Sequence, residues 1–289
     1  MLHYLKFFAH GFGIGIANVI PGVSGGTMAL IFGIYERLIE TANDGIAAGV
    51  HLLKGDLKGF RDGLAAMPWG FMLPLILGII AAPFLGAGLL SDLLETRPQL
   101  MRGLFFGLIV GSLPIPFLRI AKRSSATYGL VLTAAALAWW LSSIPAGGAM
   151  DPAAWMIFAA AALAISAMVL PGVSGAYLLL ILGMYQATLD ALDSLDLFFL
   201  VLFGAGAAVG LAGFTVLLNW LLKTRHDATM AVLVGLMLGS LRALWPWMDG
   251  ESIVRMPGVG DSVLPVLGLA AAGLLLTGIL TWWELREKA

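Results

Sequence analysis

The chain has 289 residues, of which 60% are hydrophobic and 11% are charged, and its mean hydropathy is +0.95. Soluble domains carry roughly 25% charged residues, so the composition predicts a polytopic α-helical membrane protein. The formal net charge of −1 gives no electrostatic basis for nucleic-acid binding, and the absence of cysteine excludes disulfides, thiolate catalysis and cysteine metal sites.

Ten apolar segments follow one another along the chain, and the first five correspond to the last five. Their approximate bounds are 4–20, 24–39, 68–90, 102–120, 127–144, 153–170, 174–191, 198–222, 229–246 and 263–283. The first segment resembles a signal peptide, but the internal run 153–170 precedes the same motif and cannot be one. The start of the chain is therefore predicted to belong to the first structural repeat.

The second segment begins in a motif, Pro21-Gly22-Val23-Ser24-Gly25, that returns unchanged at 171–175. Four further identities follow both copies at the same offset of 150 residues: Leu30 and Leu180, Ile31 and Ile181, Gly33 and Gly183, Tyr35 and Tyr185. Pro and Gly that interrupt apolar runs at corresponding places in two halves of a chain are the best sequence indication of a transporter binding site.

A second repeated sequence has an offset of only 128 residues. Its matching residues are Gly107 and Gly235, Gly111 and Gly239, Ser112 and Ser240, and Leu113 and Leu241. The first half therefore carries an insert of 22 residues, at about 43–67. The insert is rich in charged residues and is predicted to form a short amphipathic helix on the membrane surface. A solvated loop is the alternative.

The segment 24–39 would be about 24 Å long as a helix, shorter than the hydrocarbon core of about 30 Å. Each motif with its two flanking helices is therefore predicted to form a re-entrant hairpin, over about 4–39 and about 153–191; two full crossings are the alternative. Either way each half crosses an odd number of times, so the halves have inverted topology. The predicted fold is an all-α polytopic membrane protein with two repeats, 1–150 and 151–289, each a hairpin followed by three transmembrane helices.

The basic residues indicate the orientation. With the N-terminus inside, twelve of the 16 Lys and Arg residues lie on the cytoplasmic side, and Arg97, Arg102, Arg242 and Arg255 lie on the other. This is a positive-inside bias. It predicts that both termini are cytoplasmic.

The motif supplies groups that bind anions. Ser24 and Ser174 are expected to cap the helices that follow them, and the small residues after them leave backbone N–H groups uncovered. Such helix ends attract phosphate or carboxylate, and in inverted repeats the two ends would face one central cavity. The candidate phosphate-binding residues here are Ser24, Gly25, Gly26, Thr27, Ser174 and Gly175. The alternative is that each motif only makes a tight turn with close helix packing.

Polar residues within apolar segments are functional candidates because they are costly there. Arg102 and Arg242 are expected to hold phosphate bidentately; the alternative is that both reach the membrane interface. Glu36 is expected to pair with Arg37, with a coupling proton as the alternative, and Asn18 to line the cavity or fix the loop.

Asn18, the two motif copies and the Gly33-x-Tyr35 sequence resemble the DUF368 family of bacterial membrane proteins, over essentially the whole chain. The resemblance implies a translocase for undecaprenyl or another polyprenyl phosphate, which returns this lipid carrier of cell-wall precursors from the outer to the inner leaflet of the cytoplasmic membrane. It implies polyprenyl phosphate and membrane lipids as partners, with no catalytic residue, metal or cofactor. Proton or sodium coupling and the oligomeric state are left open.

Undecaprenyl pyrophosphate phosphatases offer an enzymatic alternative, because they also have inverted repeats and a related Pro-Gly-x-Ser-Arg-Ser motif. Here Gly25 and Gly175 stand where that motif has Arg, and no Asp or Glu occurs between Met1 and Tyr35. No group is then evident that would activate a nucleophile or polarise a phosphoryl oxygen. A transporter of a small anion or ion could use the same helix ends, whereas a purely structural protein would not need two broken helices.

Overall fold

The computed structural model describes residues 2–19, 24–145, 147–148, 152–249 and 253–287. These residues form fourteen helices and one two-stranded hairpin. In chain order they are α1 Leu2–Val19, α2 Gly25–Ile31, α3 Tyr35–Leu53, α4 Leu57–Ala66, α5 Trp69–Thr96, α6 Pro98–Ser112, α7 Pro114–Leu118, α8 Ser125–Leu141, α9 Ala154–Val169, α10 Gly175–Ile181, α11 Tyr185–Asp193, α12 Leu197–Thr224, α13 His226–Ser240, β1 Met248–Asp249, β2 Ile253–Val254 and α14 Val263–Glu287.

The predicted all-α membrane protein is confirmed. Among the residues that the structure describes, three helical stretches are long and apolar enough to cross a membrane, at Pro98–Leu118, Leu197–Thr224 and Val263–Trp282. Two bent pairs raise the number to five if each counts as one span: Leu57–Ala66 with Trp69–Leu85, bent by 81°, and Gly175–Ile181 with Tyr185–Asp193, bent by 107°.

The prediction of one continuous helix over 24–39 is wrong. The chain turns between α2 and α3 at Gly33, whose φ is +64°, and it turns between α10 and α11 at Gly183, whose φ is +69°. Glycine adopts this left-handed conformation without steric cost, which explains why the same residue stands in both copies. The insert at 43–67 is helical, formed by the end of α3 and by the exposed α4; its place on the membrane surface stays a prediction.

Helix pairing follows the correspondence between the halves. Within the first half α1 lies along α5, and within the second half α9 lies along α12. The later helices pair between the halves, so that helices are exchanged: α6 of the first half packs along α14 of the second, and α13 of the second half packs along α8 of the first. Glycine permits this approach: a Cβ at Gly107 would overlap the backbone of Ala270 on α14, and one at the matching Gly235 would overlap the backbone of Val131 on α8.

The largest cluster of buried side chains takes members from both halves. Leu30 and Tyr35 from the first motif pack with Ile109 of α6 and with Met230 and Met237 of α13, and all five are at most 1% exposed. The residues that follow the first motif copy therefore lie in the core of the fold.

Candidate functional site

The second motif copy forms the turn between α9 and α10. Gly172 has a φ of +80°, and a Cβ there would lie 2.7 Å from the Cα of Met237 on α13. Both the backbone conformation and the close approach therefore require glycine. Ser174 caps α10 as predicted, because its Oγ accepts a hydrogen bond from the Tyr177 N–H at 3.3 Å.

The first motif copy is described from Ser24 onward; residues 21–23 lie outside the described residues. Ser24 caps α2 as predicted, and its Oγ accepts a hydrogen bond from the Gly26 N–H at 3.1 Å. The same hydroxyl donates to the carbonyl of Leu170 at 2.8 Å and lies 3.2 Å from the carbonyl of Met168. One serine thus caps its own helix and binds the opposite motif.

Two further side chains join the copies. Thr27 Oγ1 accepts a hydrogen bond from the Gly172 N–H at 3.0 Å, and the Tyr35 hydroxyl donates to the carbonyl of Val169 at 3.2 Å. Gly26 lies so close that a Cβ there would be 2.6 Å from the Val169 carbonyl oxygen. The copies therefore meet directly, and the side chains of Ser24 and Thr27 are at most 2% exposed.

The N-terminus of α2 is satisfied by the protein in this conformation. The Gly25 N–H donates to Asn18 Oδ1 at 3.0 Å, so Asn18 fixes the loop, one of its two expected roles. The Thr27 N–H donates to the Ser24 carbonyl at 3.0 Å. Phosphate binding by Ser24, Gly25, Gly26 and Thr27 stays a prediction.

A small cavity of about 60 Å³ lies beside the second copy, between α8, α10 and α13. Four of its lining residues carry hydroxyl groups: Ser142, Ser174, Tyr177 and Ser240. The Tyr177 hydroxyl is 3.0 Å from the carbonyls of both Ser142 and Ile144, to which it can donate. The Ser142 and Ser240 hydroxyls donate to the carbonyls of Trp139 and Met237, each at 2.8 Å, so the cavity is mainly apolar, with the Ser174 hydroxyl at the N-terminus of α10.

Arg242 contacts Ser142, one of the residues that line this cavity. Its side chain is only 9% exposed, its Nη1 donates to the Ser142 carbonyl, and its guanidinium carbon lies 5.7 Å from the centre of the Trp139 ring. Arg242 is therefore held inside the protein instead of extending to the interface. Arg102 is half-buried on α6, and neither Arg102 nor Arg242 is among the residues that line the cavity.

The predicted pair of Glu36 with Arg37 is wrong. Glu36 Oε1 lies 2.7 Å from Arg119 Nη1, whereas the Arg37 guanidinium lies over the Phe71 ring at 4.3 Å. Adjacent residues of a helix do not face each other, so the Arg37 side chain lies against Phe71 of α5 and not beside the Glu36 carboxylate. The coupling role of Glu36 stays a prediction.

Sequence reasoning did not select Ser142, Tyr177 or Ser240. Ser240 belongs to the repeated Gly-Ser-Leu sequence at 239–241 and could have been found from that repeat. Tyr177 stands 150 residues after the candidate Thr27 and could have been found from that correspondence. Ser142 carries no such signal, because only the fold brings the end of α8 beside the second motif.

An ion pair outside the helices orders the loop before α14. The Arg255 guanidinium lies 2.6 and 3.0 Å from the two carboxylate oxygens of Asp261, and the Gly258 N–H donates to the same carboxylate at 2.6 Å. The Arg255 guanidinium, together with the Gly258 N–H, holds the pKa of Asp261 well below its usual range. The loop thus keeps a charged anchor over the ordinary pH range.

Comparison with known proteins identifies the family. Residues 14–259 match a family model described as undecaprenyl phosphate translocase-like. A polyprenyl-phosphate transporter of Vibrio cholerae is 35% identical over 263 residues, which cover 91% of this chain and 84% of that protein. A polyprenyl-phosphate transporter of Staphylococcus aureus is 28% identical over 262 residues, which cover 84% of this chain and 87% of that protein. No solved structure matches. The family expected from the doubled motif is confirmed, and the chain belongs to the undecaprenyl phosphate translocase-like family.

Proposed function

We propose that this chain moves undecaprenyl phosphate, or a related polyprenyl phosphate, from the outer to the inner leaflet of the bacterial cytoplasmic membrane, where the carrier is reused for cell-envelope synthesis. The two relatives named as polyprenyl-phosphate transporters support this function. The observation that carries it is the cavity at the second motif, which Ser174 lines and beside which the buried Arg242 bonds to the lining residue Ser142.

The cavity suits a phosphate head group. Hydroxyl groups and a guanidinium donate to phosphate oxygens, and a guanidinium can do so bidentately. Arg242 is bonded to the Ser142 carbonyl, which Tyr177 also reaches. The single proton of the Tyr177 hydroxyl, which lies equally close to the Ser142 and Ile144 carbonyls, can be donated to Ser142 when Arg242 turns toward a phosphate. The prenyl tail would remain in the lipid while only the head group enters the protein.

We infer that the two halves are inverted repeats with re-entrant hairpins. The matching pairs α1–α5 and α9–α12, and the matching turns at Gly33 and Gly183, support the correspondence. The basic residues support an orientation with both termini in the cytoplasm. In this scheme Ser174, Gly175 and Arg242 bind the phosphate first, and Arg102 guides it from the outer surface.

The first motif takes part later in the same cycle. Ser24, Gly25, Gly26 and Thr27 bind phosphate after the two copies separate, because their polar groups otherwise bond to the protein. Glu36 is the candidate for proton coupling. The transporter needs no catalytic residue, since no bond in the lipid is made or broken.

Purified protein in vesicles tests the proposal. Wild-type protein is expected to move undecaprenyl phosphate across the bilayer without releasing inorganic phosphate. Ser174→Ala and Arg242→Gln are expected to lower the rate by at least tenfold, because each removes a donor at the cavity. Arg61→Gln is the matched control, since Arg61 is exposed on α4 and away from the cavity.

Three results would count against the proposal or part of it. Release of inorganic phosphate would indicate an enzyme. Transport that is unchanged in both cavity variants would remove the second motif from the binding site. Failure of the wild-type protein to move the lipid, while it moves a small anion, would favour the ion-transporter alternative.

A further inference from the structure

The two motif copies end in helices that carry acidic or amide residues at corresponding positions, 36 and 40 on α3 and 186 and 190 on α11. On α3, Glu36 Oε1 lies 2.7 Å from Arg119 Nη1 and 3.5 Å from His226 Nε2. Glu40 Oε1 lies 2.9 Å from Lys223 Nζ at the end of α12. Since His226 and Lys223 belong to the second half, these contacts tie α3 to the opposite half of the molecule.

The equivalent residues of the second copy make no such connection among the described residues. Gln186 Nε2 donates to Asp190 Oδ1 at 2.8 Å, within α11 itself, and both residues are exposed. The corresponding residues therefore differ in structure: Glu36 and Glu40 of α3 contact the other half, whereas Gln186 and Asp190 bond to each other within α11.

The two copies also differ in the contacts of their buried residues. Ser24, Thr27 and Tyr35 all bond to the backbone at the start of the second motif or just before it, at Leu170, Gly172 and Val169 respectively. Among the corresponding second-copy residues, Ser174 lines the cavity and Tyr185 is 36% exposed. The structure is thus closed around the first copy and leaves space beside the second.

A third connection lies at the same end as the ion pairs. Both oxygens of the Asp227 carboxylate, on the first turn of α13, accept hydrogen bonds from the backbone N–H groups of Ala121 at 3.0 Å and Lys122 at 2.9 Å. The end of the molecule where α3, α12 and α13 meet is therefore closed by several charged contacts between the halves.

We propose that Glu36, Glu40, Arg119, Lys223 and His226 form a latch, here called the α3 latch, that holds this end closed and must open once in each transport cycle. The inference rests on the proposed function. In the orientation given above the α3 latch lies on the cytoplasmic side, so its opening permits release of the phosphate head group into the inner leaflet.

The chemistry of the α3 latch suits repeated opening. Its side chains are between 24% and 58% exposed, and partly exposed ion pairs exchange readily with water because they contribute little net stability. Several weak contacts at one end favour the closed state together, while each can break separately. A transporter that alternates between two states needs a small free-energy difference between those states.

Crosslinking tests the α3 latch directly, because the chain contains no cysteine. In the double variant Glu40→Cys/Lys223→Cys, a short, cleavable bifunctional thiol reagent would fix α3 to α12. Transport of undecaprenyl phosphate in vesicles is expected to fall at least tenfold after crosslinking and to recover on reduction. The matched control is Gln186→Cys/Asp190→Cys, where the same reagent bridges one helix and is expected to leave the rate unchanged.

Equal transport by the crosslinked and reduced Glu40→Cys/Lys223→Cys protein would overturn the α3 latch. A protein that moves no lipid even before crosslinking would instead count against the proposed function, and a second readout then tests the latch without transport. Thr41 is 4% exposed and adjoins Glu40 on α3. Thr41→Cys is expected to react at least threefold faster with a polar maleimide when combined with Glu40→Gln and Lys223→Gln; an unchanged labelling rate would refute the latch.

Discussion

The direct contact between the motif copies predicts that one methyl group added at Gly26 lowers the stability of the protein. A Cβ there would lie 2.6 Å from the Val169 carbonyl oxygen and 3.1 Å from the Pro171 nitrogen. An ordinary contact is about 3.4 Å, so the two segments must separate by about 0.8 Å. Overpacking of this kind costs typically 1–3 kcal/mol, while alanine gains about 0.5–1 kcal/mol over glycine in a helix. Gly26→Ala is therefore expected to lower the free energy of unfolding by roughly 1–2 kcal/mol.

Gly49→Ala is the matched control. Gly49 lies within α3, and a Cβ there would meet nothing within 4 Å. Only the helix preference then acts, so this variant is expected to be more stable by about 0.5–1 kcal/mol. Unfolding in mixed detergent micelles, followed by the fluorescence of the nine tryptophans, would measure both. If Gly26→Ala is stabilised as much as Gly49→Ala, α2 does not lie against the second motif and the described closed arrangement is refuted.

Two further predictions concern single hydrogen bonds. Thr27→Val leaves the buried Gly172 N–H without its acceptor and is expected to lower the free energy of unfolding by about 1–3 kcal/mol. Thr27→Ser keeps the hydroxyl and should cost only about 0.8 kcal/mol for the lost methyl group; equal losses would contradict the bond. Arg255 lowers the pKa of Asp261. The ionised carboxylate therefore stabilises its loop fully at any pH above the ordinary pKa of aspartate, and this stabilisation is lost as the pH falls through the lowered pKa. Hydrogen-exchange protection of the Gly258 amide, corrected for intrinsic rates, is therefore expected to be nearly equal at about pH 7 and about pH 3, where an aspartate of ordinary pKa would be mostly protonated. Protection is expected to fall in Asp261→Asn at both; a loss of protection by about pH 3 in the wild type would contradict the lowered pKa.

Repetition made much of the fold accessible from the sequence. The motif at 21–25 and 171–175 located the breaks between helices, and Ser24 and Ser174 cap the next helices as expected. These features are local, since a capping serine acts within one helical turn. The turn at Gly33 was missed because the apolar run continues across it, and hydropathy does not register a change of backbone direction.

The site was predicted less completely, because it depends on contacts distant in the sequence. The hydroxyl of Thr27 was expected to face a ligand, but it faces Gly172, 145 residues away. Composition could not show that Ser142 at the end of α8 and Arg242 after α13 would meet. That meeting follows from the pairing of α8 with α13, which exchanges helices between the halves.

The exchange of helices has a consequence for how the chain is made. α6 ends at Ser112, but its partner α14 begins only at Val263. At about 5–20 residues per second, synthesis leaves the glycine-bearing face of α6 without its partner for roughly 8–30 s. During that time lipid or another chain must cover the face, and a second copy of the protein that supplies its own α14 would produce a swapped dimer. Neither half can complete its packing alone, so separately expressed halves should accumulate only when they are made together in the same membrane.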